Sequence, residues 1–336
     1  MMNINDGKKS RKNDFVKQNG MGCSDDDTNN SLVESAEEMS GIRVRLNGVR
    51  GSVPVNGAAY DYYGGATCSV QLEHRGEILI VDAGTGLLNT EIPKGTKRVS
   101  ILLTHPHVDH LLGLPAWQPA YQPDLHKAIA AMKNGNMDCR QQVAALMSGP
   151  LWPVRAEELP NTTFYTIEAT SEERLGRITR FPENREDFLI VETERGRHLQ
   201  LGLFQIYIMD GIHPGGCTCY RIEVQGGASV AFVLDCELDQ EQLETFANFV
   251  RGCSLLICDG QYLESELEQK RGWGHSSAAT AAALGRLAGV GKTVVVHHEP
   301  TRTDKEMENI QRELDAVPEY EKERCIIGRE GACFEV

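Results

Sequence analysis

The apolar run 98–103 (RVSILL) leads straight into Thr104-His105-Pro106-His107-Val108-Asp109-His110, and no other stretch constrains the fold as much. Three of the chain's ten histidines and one aspartate fall within these six positions, 105–110. A strand that ends in so many imidazole and carboxylate groups delivers them to one loop. Burying them there without partners would cost several kcal/mol, roughly. Divalent cations satisfy all four. The donors are nitrogen and oxygen only, which suits zinc first, with manganese or iron compatible. His105 and His107 point to one side of an extended segment, whereas Asp109 and His110 are adjacent and need a turn to face inward. A pair of metal ions needs further ligands. The same criterion, a metal-competent residue at the end of an apolar strand, selects His213 after LFQIYIMDGI, Asp235 at the end of SVAFVLD, and His297 at the end of TVVVH. Asp235 has two oxygens with which to bridge two ions.

The rest of the chain is consistent with a soluble globular protein. It has 336 residues, 40% of them hydrophobic and 24% charged, and no apolar run of the roughly 18 residues that a membrane span needs. A net charge of −14 argues against gripping nucleic acid by bulk charge. Residues 1–40 read as a polar tail too poor in apolar side chains to order itself. They lack the apolar core of a secretory signal, so a cytoplasmic location is expected. The ten cysteines include no C-x-x-C pair and are expected to be reduced.

From Ile42 onward, period-two alternation and glycine turns predict strands at 42–46, 68–73, 77–82 and 98–103. Residues 116–187 read as an insertion with two helices, about 124–133 and 137–147. Strands are expected again at 188–192, 199–208, 218–224 and 229–234. The last third alternates helices (240–250, 277–288, 304–316) with strands (254–258, 293–297), and strands at 324–327 and 332–336 close the chain. One mixed α/β domain over 41–336 is the expectation.

The H-x-H-x-D-H run resembles the signature of the metallo-β-lactamase superfamily. GVRGSVPV (48–55), YGGAT (63–67), IVDAGTGL (80–87), HPGG (213–216), YRIE (220–223) and RGWGHSS (271–277) are similar to its phosphodiesterase branch, which includes tRNase Z and cyclic phosphate or cyclic nucleotide phosphodiesterases. The resemblance runs from about Arg43 to the C-terminus. It implies an αββα sandwich carrying a helical insertion. It also implies one ion on His105, His107 and His213 and a second on Asp109, His110 and His297, with Asp235 bridging. His298 adjoins His297, which is preferred because the family's histidine directly follows the strand's apolar residues. Asp82 matches an aspartate that supports the metal loop without ligating it. His275 matches a position that binds phosphate or protonates the leaving oxygen, and Asp109 is carried over as a catalytic residue. Gly64, Gly65, Thr67 and Ser69 are expected to line the substrate pocket. A homodimer is also implied. Cys219 and Cys236 depart from the family's usual glycine and threonine.

A dinuclear metal-dependent phosphodiesterase acting on a small cyclic nucleotide or cyclic phosphate is the resulting expectation. Its alternatives are a tRNase Z-like endoribonuclease, a thioester or lactam hydrolase, an iron oxidoreductase, and an inactive metal-bound scaffold. The small substrate is preferred over tRNA because residues 117–160 balance Lys127, Lys133, Arg140 and Arg155 against Asp124, Asp138, Glu157 and Glu158. A tRNA partner calls for a basic surface.

Overall fold

The computed structural model describes residues 41–167, 188–193, 196–317 and 323–336; the polar tail 1–40 and the end of the insertion, 168–187, lie outside them. In chain order, the first half supplies β1 (Arg43–Gly48), β2 (Ser69–His74), β3 (Glu77–Val81), β4 (Arg98–Leu103), β5 (His126–Met132), α1 (Cys139–Ala144) and β6 (Thr162–Ile167). The second half supplies β7 (Phe188–Thr193), β8 (Gly196–Leu201), β9 (Phe204–Gly211), β10 (Cys217–Val224), β11 (Ser229–Val233) and α2 (Gln240–Phe249). It continues with β12 (Leu255–Asp259), α3 (Ala278–Ala288), β13 (Lys292–Val296), α4 (Asp304–Asp315), β14 (Cys325–Ile327) and β15 (Cys333–Glu335). One sheet has the order β15-β1-β2-β3-β4-β5-β6, the other β14-β13-β12-β11-β10-β9-β8-β7.

Period-two alternation explains how these strands build four layers. In β12, Leu255 and Ile257 enter the core between the sheets, while Leu256 and Cys258 face the second sheet's helices α2, α3 and α4. In β3, Leu79 and Val81 point to the intersheet core, while Ile78 and Ile80 pack under Trp117, Val143 and Met147 on the outer side. Strands buried on both faces read as unbroken apolar runs. The result is the expected αββα sandwich.

Two expected elements are corrected. Residues 124–133, expected as a helix, contain β5, which pairs in parallel with β4 and β6. Alanine, lysine and methionine favour helices on their own. Here Ala128 and Ala130 fill the intersheet core while Ile129 and Ala131 pack on the opposite face, so tertiary burial overrides local preference. This stretch therefore supplies sheet strands, and of the two expected helices only the second is present, as α1. The single strand expected over 199–208 is split into β8 and β9 by a turn at Gly202 (φ +56°) and Leu203.

The parallel runs β3-β4 and β11-β12-β13 bring the carboxyl ends of their strands together. Open α/β sheets bind ligands at such an edge. All nine described cysteines are free thiols, eight of them buried.

Candidate active site

Six strand ends converge, that of β3 with Asp82 among them. Beyond β4 come His105, His107, Asp109 and His110; β9 is followed by His213, β11 by Asp235, β13 by His297, and β12 ends on Asp259. Three of the bends are made at positive φ by non-glycine residues: Asp82 (63°), Asp235 (47°) and His297 (60°). Such backbone costs about 1–3 kcal/mol each and persists only where the surroundings hold it. Here the surroundings are the ends of buried strands.

The seven sequence-selected ligands form two adjoining groups. Ligand atoms of His105, His107 and His213 lie within 4.8 Å of one another, as do those of Asp109, His110, Asp235 and His297. Asp235 sits between the groups. Its Oδ1 is 3.3 Å from His110 Nε2, and its Oδ2 is 3.2 Å from His297 Nε2, 3.7 Å from His105 Nε2 and 3.9 Å from His213 Nε2. Asp109 Oδ2 lies 3.3 Å from His110 Nε2 and 3.2 Å from His297 Nε2.

Four of the imidazoles are held from behind. His110 Nδ1 bonds Asp82 Oδ2 (2.8 Å), His105 Nδ1 pairs with Thr104 Oγ1 (3.1 Å), His213 Nδ1 with the Gly274 carbonyl (3.0 Å), and His297 Nδ1 with Gln261 Oε1 (3.1 Å). Each bond leaves Nε2 pointing into the cluster, the arrangement that orients histidine toward a metal. Asp82 also accepts the amide and hydroxyl of Thr104. His298, by contrast, turns away and bonds the Gly328 carbonyl at 2.8 Å.

Whether the cluster fits cations can be judged from its polar atoms and its charge. His105 Nε2, His110 Nε2 and Asp235 Oδ1 are buried with no hydrogen-bond partner. Buried polar atoms are ordinarily paired, and these three face the centre of the cluster. Asp82, Asp109, Asp235 and Asp259 are four buried carboxylates close together. Burial favours the neutral forms of Asp109 and Asp235, yet His110 and His297 outweigh it and hold both far below the usual carboxylate range. In return, burial opposes protonation of His110 and His297, but the carboxylates, Asp235 foremost, drive His110 well up and His297 up to about 9. Burial holds His105, His107 and His213 below the ordinary imidazole value, as neutral donors. Neutral imidazoles beside surplus buried negative charge fit divalent cations.

Against this cluster lies His275, whose ring stacks on His297 with centroids 4.9 Å apart. Its Nδ1 is 3.0 Å from Asp259 Oδ2. Asp259 also accepts the amides of Cys236, Gln261 and Ser276. Asp259 was not among the sequence candidates, although LLICD ends on it as SVAFVLD ends on Asp235. The strand-end criterion would have found it. Gln261 carries no comparable signal.

The expected pocket-lining set is corrected in part. Thr67 is fully buried and its hydroxyl donates to the Asp109 carbonyl at 2.7 Å, so it braces the ligand loop from behind. Ser69 is fully buried within β2. The Gly64 amide donates to the Tyr60 carbonyl, and the Gly65 carbonyl accepts from Val55. Both hydroxyls are thus buried, whereas Gly64 and Gly65 are half-buried. The two unusual cysteines are also structural: Cys219 is buried beside Cys236, whose sulfur accepts the Ile212 amide and so joins the His213 and Asp235 loops.

Residues 78–298 match the family described as "Beta-lactamase superfamily domain". A ribonuclease Z from Bradyrhizobium sp. (strain ORS 278) is 26% identical over 261 residues, covering 69% of this chain and 83% of that protein. Among solved structures, the short form of human tRNase Z has a TM-score of 0.58 at 16% identity, covering 87% of this chain and 98% of its own. A diphosphatase of the PhnP family has a TM-score of 0.57 at 15% identity, covering 88% and 98% respectively.

Proposed function

The chain belongs to the beta-lactamase superfamily, and from that premise we propose that it is a metal-dependent phosphodiesterase. The observation that carries this reading is a dinuclear ligand set with orphaned donor atoms beside the buried dyad His275–Asp259. His105, His107 and His213 would hold one divalent cation, and Asp109, His110 and His297 the other, with Asp235 shared. Such a pair, when bound, supplies a water acidified toward neutrality and offsets the charge of a phosphodiester.

The protein's own groups do the rest. Asp82, Thr104, Gly274 and Gln261 fix imidazole orientation before substrate arrives, so little reorganisation is left to the reaction. Asp259 fixes Nδ1 of His275, leaving Nε2 to give a proton to the departing oxygen. Asp259 is itself held by three backbone amides and so cannot swing away. The substrate reading is a small cyclic nucleotide or cyclic phosphate, supported by the net charge of −14 and the balanced charges over 117–160. A second reading, cleavage of tRNA, is favoured by the ribonuclease Z relatives.

The test is turnover of bis(p-nitrophenyl) phosphate, a cyclic nucleotide panel and precursor tRNA by metal-loaded protein, with elemental analysis of the same sample. Hydrolysis should vanish on chelation. His275→Ala should lower kcat about 10²- to 10⁴-fold with metal content unchanged. Faster cleavage of precursor tRNA than of any cyclic nucleotide would select the second reading. Faster hydrolysis of thioesters or lactams would refute both.

A further inference from the structure

Large exposed apolar side chains cluster in sequence around the site. Val53 (51% exposed) follows Ser52, whose amide donates to Asp109 Oδ2 at 2.7 Å. Val108 (51%) lies between His107 and Asp109, and Trp273 (57%) lies two residues before His275. A tryptophan this exposed beside the site leaves most of its indole free to meet a ligand.

The loop carrying Trp273 is rigidly built. Glu237 accepts the amides of Gly272 (2.7 Å) and Gly274 (3.0 Å). The Gly274 carbonyl holds His213, and its backbone sits so close to that ring that a Cβ would fall 2.1 Å from His213 Nδ1. Lys270 Nζ lies 4.1 Å from the Trp273 ring centroid and 5.4 Å from that of Tyr262, whose own ring is edge-on to His275. One indole face is thus covered by a cation while the rest is open, and exposed Arg271 adds a second positive charge. An open indole is thus joined by a fixed turn to the ligand His213.

We infer that Trp273 is a stacking platform for the nucleobase of a mononucleotide substrate whose phosphate lies at the metal-ligand cluster. This rests on the phosphodiesterase reading for its substrate class but not for its geometry. Aromatic stacking tolerates any base and, lost, weakens binding about 5- to 150-fold. Trp273 therefore sets a preference for nucleotides over simple phosphodiesters.

The experiment is calorimetric titration of zinc-loaded protein with adenosine 5′-monophosphate and with ribose 5-phosphate. Adenosine 5′-monophosphate should bind more tightly. Trp273→Ala should weaken it about 5- to 150-fold with ribose 5-phosphate unaffected, and Trp273→Phe should recover most of the loss. Zinc content should be unchanged in both variants. Equal affinities for the two ligands, or no effect of Trp273→Ala, would overturn the platform even if phosphodiesters are hydrolysed. Absence of any hydrolysis with the base preference intact would instead sink the phosphodiesterase reading alone. A hexa-adenylate that binds more than about tenfold tighter than the monophosphate would overturn the mononucleotide assignment.

Discussion

Asp82→Asn tests the argument that carboxylate support behind the cluster determines its metal affinity. Asp82 and His110 are fully buried. The carboxylate accepts from His110 Nδ1 at 2.8 Å, the Thr104 amide at 2.8 Å and the Thr104 hydroxyl at 2.9 and 3.0 Å. Asparagine preserves the volume but replaces one acceptor oxygen with an NH2 group. That group must then meet either His110 Nδ1–H or the Thr104 donors, so at least one buried donor loses its partner. The cost is about 1–3 kcal/mol. Where the His110 ring is the loser, its Nε2 is no longer aimed at the cluster, and metal affinity should fall about 10- to 100-fold. Asp82→Ala removes every acceptor and should cost more, about 3–5 kcal/mol of stability, because it also leaves buried donors and a cavity. Competition with a chromophoric chelator measures the affinity, and urea unfolding of metal-free protein measures the stability. Wild-type metal affinity in Asp82→Asn would refute the reasoning, because the Nδ1 partner would then be irrelevant to the Nε2 ligand.

Gly274→Ala and Gly272→Ala share a positive φ, +85° and +81°, but only Gly274 abuts His213, whereas nothing lies within 4 Å of a Cβ at Gly272. Gly274→Ala should reduce bound metal as well as stability, while Gly272→Ala should cost only about 1–2 kcal/mol of strain; elemental analysis of the pair distinguishes the two. Metal-free protein should show a pH dependence of a particular shape. The depressed carboxylates Asp109 and Asp235 contribute stability that is present above their unfolded pKa and lost as pH falls below it toward their lower folded values. His297, raised to about 9, contributes stability that is full below the unfolded imidazole value and lost as pH rises toward 9. Urea midpoints in chelator should therefore decline from pH 6.5 to pH 9, roughly. A flat profile there would contradict the charge balance drawn for the cluster.

Much of the site was legible because of one regularity. A residue that follows an unbroken apolar strand is delivered to the sheet edge, and His105, His107, Asp109, His110, His213, Asp235 and His297 all obey it. The structure brings the seven into two adjoining groups with Asp235 between them. Asp259 obeys it too, directly after the strand expected over 254–258, and was not singled out. The helix expected at 124–133 shows the opposite failure. Alanines are small enough to be buried on either face of a strand, so β5 has no visible alternation, and its helix formers then dominate a local reading. Thr67 misled in a third way: a hydroxyl beside a glycine turn resembles a pocket lining until its partner, the carbonyl of Asp109, is known.

By itself the chain determined which chemistry was available, since hydrophobic runs and the donor types that end them are local properties. Tertiary structure alone decided which donors meet. Asp235 touches both groups because β11 lies between β10, which bonds to the end of β4, and β12, which pairs in turn with β13, and His298 is excluded because consecutive residues at this strand end point opposite ways. Those outcomes depend on contacts such as that of Asp109 with His297, 188 positions apart, and no local pattern encodes the distance between them.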